Sequence, residues 1–146
     1  MPSVSLLIKP ASSNCNLKCK YCFYRSIAEN RSVASYGMMQ TSTLEVLVKK
    51  ALEFADDSCT FAFQGGEPTL SGLGFFAKLT EYENRYNAKK VDIHNALQTN
   101  GTLIDEEWAK FLRRNGFLVG ISLDGPRDIH NANRVDAFGK GSFARV

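Results

Sequence analysis

Four short apolar runs recur along the chain, and turn-forming residues follow each one before a helix-spaced segment begins. Val4 to Lys9 alternates apolar and polar residues and stops at Pro10, and Cys59 to Phe63 is a buried type of strand. Val91, Ile93, Asn95 and Leu97 alternate ahead of Thr99-Asn100-Gly101, and Phe117 to Leu123 ends at Asp124-Gly125-Pro126. Between these runs, Leu44, Leu47, Val48, Ala51 and Ala55 fall at helical spacing behind Ser42-Thr-Leu-Glu45, which has the form of a capping box. Phe75, Leu79, Tyr82 and Tyr86 share a second helical face. Asp105 can cap a third helix, with Glu106 and Glu107 in its first turn, Arg113 and Arg114 in its last, and Gly116 as its stop. Tyr24 to Glu29 starts a shorter helix, Arg31 to Gln40 reads as a loop, and the stretch up to Val146 begins another helix or loop. Strand followed by helix, repeated, predicts an α/β fold with a parallel sheet and helices outside it. Four strands cannot close a barrel, so the sheet is open or the chain is part of a larger barrel.

Cys15-Asn-Leu-Lys-Cys19-Lys-Tyr21-Cys22 sets three thiols within eight residues, spaced C-x3-C-x2-C, in the loop after the first strand. Thiols this close do not readily bridge one another. A structural zinc site normally has four protein ligands, so zinc here would need Cys59 or a histidine as the fourth. A 4Fe–4S cluster held by three thiolates instead leaves one iron open to a small molecule. Spacing alone leaves both possibilities open. Cys59 reads as a buried strand residue, His94 as a strand residue and His130 as a loop residue without a catalytic task. A clustered trio with one distant thiol is no disulfide framework, and a reducing cytoplasm is the expected compartment. The net charge of +3 is too small and dispersed to argue for a nucleic-acid partner. No apolar run is long enough to span a membrane, and Met1 to Pro10 lacks the basic start and apolar core of a signal peptide. A chain of 146 residues can bury a core as one domain.

Ligands bind at the carboxyl ends of strands in parallel α/β folds. The cysteine loop, Gly65-Gly66-Glu67-Pro68 and Leu123-Asp-Gly-Pro126 follow the first, second and fourth strands, so they should face one pocket. Tyr24 and Gln64 flank it and are the candidates for a substrate side. Taken singly these features are weak: Gly65 to Pro68 is an ordinary turn by composition, Ser122 a turn or helix cap, and Arg134 a surface charge.

C-x3-C-x2-C with an aromatic residue before its last cysteine resembles the radical S-adenosylmethionine superfamily, and Gly65-Gly66-Glu67-Pro68 resembles that superfamily's glycine-rich motif. Leu7-Ile-Lys-Pro-Ala-Ser-Ser-Asn-Cys15, Phe63-Gln-Gly-Gly-Glu-Pro-Thr-Leu70, Leu97-Gln-Thr-Asn-Gly-Thr-Leu-Ile-Asp105 and Val119-Gly-Ile-Ser-Leu-Asp-Gly-Pro126 are similar to anaerobic sulfatase-maturating enzymes. The resemblance implies a parallel-sheet partial (β/α) barrel of the radical S-adenosylmethionine type, truncated after about four βα units. It implies that Cys15, Cys19 and Cys22 hold a 4Fe–4S cluster whose fourth iron takes S-adenosylmethionine. Tyr21 near the adenine, the loop of Gly65, Gly66 and Glu67, Ser122 and Arg134 would bind that cofactor, Arg134 through its carboxylate. An electron from the cluster would break a carbon–sulfur bond, giving methionine and a 5′-deoxyadenosyl radical. The radical would take hydrogen from the β-carbon of a cysteine or serine in a sulfatase polypeptide. Loss of a second electron and a proton, with hydrolysis in the cysteine case, would leave Cα-formylglycine. A reducing electron donor is the other partner.

Enzymes of that family are longer, with further strands, a late acid–base residue and a cysteine-rich C-terminal region carrying two auxiliary 4Fe–4S clusters. This chain has no cysteine after Cys59. Residues 1–146 are therefore expected to be the N-terminal portion of the barrel domain, with the acid–base residue beyond Val146. A related radical maturase of another ribosomal peptide, and a non-catalytic metal-binding module, are the competing readings.

Overall fold

The computed structural model describes residues 2–146, with strands β1 (Val4–Ile8), β2 (Ser58–Phe63), β3 (Asp92–Thr99) and β4 (Leu118–Ile121). The helices are α1 (Phe23–Glu29), α2 (Thr41–Phe54), α3 (Leu73–Tyr86), α4 (Glu106–Arg114) and α5 (Arg127–Asn133), with single 3-10 turns at Pro68–Ser71 and Phe143–Arg145. The strands form one sheet in sequence order, and every pairing is parallel. This is an α/β partial barrel, as the alternation of elements requires.

Register turns the apolar pattern into a core. Val4, Cys59 and Ile93 stand side by side, as do Leu6, Phe61 and Asn95, and Ile8, Phe63 and Leu97. All of these face the helices, because residues two apart along a strand share a face. Against them pack Leu44, Val48, Ala51 and Leu52 of α2, Phe75, Phe76, Leu79 and Tyr82 of α3, and Trp108, Phe111 and Leu112 of α4. Phe63, Phe75, Trp108 and Phe117 each meet Phe76 edge to face, with ring centroids 5.0 to 6.2 Å apart. Such pairs add about 1 kcal/mol each beyond the area they bury. The opposite face carries the small residues Ala62 and Ala96, paired side by side, and Gly120 beside Gln98. Leu7 and Leu118 remain exposed on the outer strands. No described helix is long and apolar enough to cross a membrane.

Three local expectations need correction. The Ser42–Glu45 capping box does not form: α2 starts at Thr41, and Gln40 takes the cap position without a side-chain bond. The Glu45 carboxylate is engaged by Tyr86 and Arg85 of α3 instead. β4 is shorter than its apolar run, because Phe117 turns into the aromatic cluster and Leu123 lies past the last pairing. His130 sits in α5, wholly buried, and not in a loop. Asp105 does cap α4, accepting the Trp108 N–H at 2.9 Å, with Gly116 in the left-handed region beyond the end.

Candidate functional site

All four strands leave the sheet at one edge, and a cavity of about 200 Å³ opens there. Cys15, Cys19, Tyr21 and Cys22 line it from the loop after β1, and Tyr24 from α1. Gln64, Gly65, Gly66 and Glu67 line it from the loop after β2, Ser122 from the end of β4 and Arg134 from the end of α5. Every candidate cluster, cofactor and substrate residue named from the sequence thus borders one space. Pro68 and the Leu123–Pro126 loop do not line it, and Asp124 meets it only through its bonds to Tyr21 and Arg134. Gln98, Thr99 and Asn100 border it too, and these were missed. The signal was available, since Leu97-Gln-Thr-Asn-Gly is the exit of the third parallel strand and must lie beside the other exits.

The cysteine loop is held by its backbone. Lys18 N–H donates to the Val135 carbonyl at 2.6 Å and Lys20 N–H to that of Asn133 at 3.0 Å. Cys22 stands at the cap position of α1. Donors approach two of the sulfurs: Leu17 N–H at 3.4 Å and Asn100 Nδ2 at 3.9 Å from Cys15 Sγ, and Arg134 Nη1 at 3.9 Å from Cys19 Sγ. Cys15 opens onto the cavity, yet the atoms crowded around its thiol push its pKa up to about 11, against the pull of the Leu17 N–H. Burial also raises Cys19, with Arg134 opposing it. Both thiols lose a proton on binding a metal, which takes thiolate.

A zinc site with Cys59 does not fit. Cys59 pairs with Val4 at the entry of the sheet, four residues before the exit at Phe63, or roughly 13 Å along the strand. His94 lies toward the same entry end, and the His130 ring is engaged by Ser142 and Asp124. Among the described residues no three His, Cys, Asp or Glu side chains converge on a single ion. Three thiolates on different irons of one cluster need no such convergence.

The glycine loop is pressed against the cysteine loop. Gly66 has φ +60°, and a Cβ there would strike the carbonyl oxygens of Asn14 and Ser12. At Gly65, φ +99°, a Cβ would lie 2.5 Å from Lys9 Cε. Glu67 is buried, and its carboxylate accepts from Thr69 N–H and Oγ1, Thr99 Oγ1 and Asn100 N–H at 2.7 to 3.0 Å. It therefore ties the exits of β2 and β3 together, and little acceptor capacity faces the cavity. Asn100 continues the tie, donating to Asn16 Oδ1 at 2.8 Å.

On the other wall Gln98 Nε2 donates to Ser122 Oγ at 3.0 Å. Arg134 Nε donates to Asp124 Oδ1 at 2.8 Å, and its guanidinium lies 5.4 Å from the Tyr21 ring centre. Burial, then the bond to Asp124, raises the Tyr21 hydroxyl to about 12. Burial alone would raise Asp124, but the Tyr21 and Arg134 donors reverse it and hold the carboxyl below its usual range. Gln64 Nε2 donates to Tyr24 Oη at 3.3 Å, and Lys9 Nζ sits 4.4 Å over the Tyr24 ring.

The site's relatives are consistent with this layout. The Radical SAM superfamily model matches residues 10–146. A cysteine-type anaerobic sulfatase-maturating enzyme of Clostridium perfringens is 61% identical over 146 residues, all of this chain and 40% of that protein. A serine-type anaerobic sulfatase-maturating enzyme of Bacteroides thetaiotaomicron is 35% identical over 142 residues, 97% of this chain and 34% of its own. The solved structure of native anSMEcpe with bound AdoMet and Kp18Cys peptide superposes with a TM-score of 0.91 at 59% identity, covering 99% of this chain and 38% of that one. The chain thus spans about 40% of the length of the Clostridium relative and about a third of the Bacteroides one. With that match running through the three-thiol loop and all but the first of its parallel strands, this chain belongs to the radical SAM superfamily.

Proposed function

We propose that this chain is the cofactor-binding part of an anaerobic sulfatase-maturating enzyme, which oxidises a cysteine or serine side chain of a sulfatase to Cα-formylglycine. The reading rests above all on the single cavity shared by three thiols of one loop, the glycine loop and Arg134. Identity of 61% to a cysteine-type enzyme against 35% to a serine-type one favours cysteine as the residue oxidised.

The residues present suit a 4Fe–4S cluster with S-adenosylmethionine. Cys15, Cys19 and Cys22 would hold the cluster, and the donors of Leu17, Asn100 and Arg134 near the sulfurs would stabilise thiolate charge. When bound, cluster and cofactor supply the one-electron chemistry that takes a hydrogen atom from an unactivated carbon. The protein's part is placement. Arg134 offers a guanidinium edge to a carboxylate, Gln98 and Ser122 present paired polar groups at the exits of β3 and β4, and Tyr21 covers the space. Tyr24 and Gln64, bonded to each other on the cavity wall, would orient the peptide. The further strands, the acid–base residue and two auxiliary 4Fe–4S clusters would belong to the longer enzyme. Its partners would be the sulfatase polypeptide and a reducing electron donor, with neither nucleic acid nor membrane involved. Four free thiols, three of them clustered, favour the cytoplasm.

Anaerobic reconstitution of the full-length enzyme with iron and sulfide tests this. Cys15→Ala, Cys19→Ala and Cys22→Ala should each abolish reductive cleavage of S-adenosylmethionine to 5′-deoxyadenosine, and Cys59→Ala should retain it. A colourless protein that binds one zinc and leaves S-adenosylmethionine intact would refute the proposal. Cleavage without oxidation of a sulfatase peptide would move the substrate to another peptide.

A further inference from the structure

We propose that Asp124 is a positioning residue whose one carboxylate clamps Arg134 and Tyr21 together over Cys19, and that buried His130 fixes the loop that carries it. The two carboxylate oxygens are divided between residues from opposite ends of the chain. Oδ1 accepts Arg134 Nε at 2.8 Å, and Oδ2 accepts the Tyr21 hydroxyl at 2.6 Å. Both are charge-assisted bonds, stronger than bonds between neutral groups. The Arg134–Asp124 pair is only 14% and 20% exposed at its side chains, so water screens it little. With Nε taken, the guanidinium is fixed against the Tyr21 ring and its Nη1 stands 3.9 Å from Cys19 Sγ. A free arginine side chain has many rotamers, and ordering it at the moment of binding would cost affinity. Asp124 removes that cost in advance.

The loop bearing Asp124 is fixed from behind. Ser142 Oγ donates to the Arg134 carbonyl at 2.9 Å, so it accepts from His130 Nε2–H at 3.0 Å. That leaves His130 Nδ1 unprotonated, and it accepts the Asp124 N–H at 3.4 Å. One neutral imidazole thereby joins the backbone at Asp124 to the segment beyond Arg134. His130 is wholly buried, which makes this register stiff.

What the guanidinium is held toward, a carboxylate-bearing cofactor, rests on the function proposed above; the clamp rests on its own geometry. The two are tested separately. On the unloaded protein in reductant, Asp124→Ala, Arg134→Met and the double variant form a stability cycle by urea unfolding. The double variant's unfolding constant should fall about tenfold short of the product of the single effects. On the reconstituted protein, Asp124→Ala should keep its iron and need about tenfold more S-adenosylmethionine for half of the change in the reduced cluster's paramagnetic resonance signal. Asp124→Asn, which keeps an acceptor for Nε, should recover part of that loss. If Asp124→Ala fails to fold, Tyr21→Phe and Arg134→Lys take its place in both measurements. Additive stability effects, or unchanged cofactor affinity in Asp124→Ala, would overturn the clamp. A wild-type protein that takes up no cluster sinks the functional reading, and the stability cycle then decides the clamp by itself.

Discussion

Gly66 meets two constraints at once. Its φ of +60° costs a side-chain-bearing residue about 1–2 kcal/mol. A Cβ would in addition run into the carbonyl oxygens of Asn14 and Ser12, backbone atoms that cannot swing aside. The neighbouring Glu67 N–H donates to that same Asn14 carbonyl at 2.8 Å, so forcing the loops apart also breaks their bond. Gly66→Ala should therefore cost more than the conformational strain alone, on the order of 3 kcal/mol. Gly37→Ala, also at positive φ (+77°) but with open space around its Cβ, should cost only the strain. Urea unfolding of both variants checks this, and equal losses would show that the collision is relieved cheaply. The family resemblance places this glycine in a cofactor-binding loop; the structure adds a second demand, contact with the loop that carries the thiols.

Between α3 and β3 lies a buried polar pair that an apolar pattern does not foretell. Asn95 Nδ2 donates to Glu83 Oε2 at 3.1 Å, while Glu83 Oε1 and Asn95 Oδ1 are buried without a partner among the described residues. A proton on the carboxyl supplies the missing donor, and burial raises this pKa from 4.5 to about 7, against the Asn95 bond. The sign follows from linkage: the folded chain holds the proton more tightly than the unfolded one. The resulting stability is complete below about pH 4.5 and is lost as the pH rises through about 7. Glu83→Gln keeps the shape and stays neutral, so it should flatten that slope and be the more stable protein at pH 8, by up to about 3 kcal/mol. Urea unfolding at both ends of the range decides it, and parallel pH curves for the two proteins would refute it. Period-2 and helical patterning made the sheet, its exits and α2 to α4 legible, because burial of one face dictates both. Glu83 lies on the buried face of α3 and Asn95 on that of β3, where the pattern expects apolar residues. The cap of α2 was misread for a related reason: Glu45 is drawn to α3 by contacts that no local motif encodes. At the site, the thiols and glycines were legible because their chemistry is unusual for a loop. Gln98 and Asn100 were not, since each reads as ordinary strand-end chemistry until the exits are brought together. The loop of Asp124 was legible without the bonds its carboxylate makes to Tyr21 and Arg134.

The cysteine loop is local in sequence, yet its support comes from a segment far along the chain that packs beside it. Lys18 and Lys20 donate their amides to Val135 and Asn133, and that segment is in turn fixed through Arg134, Ser142 and His130. The loop and the segment spanning residues 130–142 should therefore open as one unit, apart from the sheet core, since local opening follows shared contacts and not chain order. His130→Ala removes the buried joint without touching the cysteine loop. The amides of Lys18 and Lys20 should then exchange with deuterium severalfold faster and in step with each other. The amides of Phe61 and Asn95, in the centre of the sheet, should keep their protection. Faster exchange across the whole sheet would mean that His130 supports global stability alone. Unchanged exchange at Lys18 and Lys20 would mean that the thiol loop stands without its distant brace, and that the three sulfurs are placed by the loop's own turns.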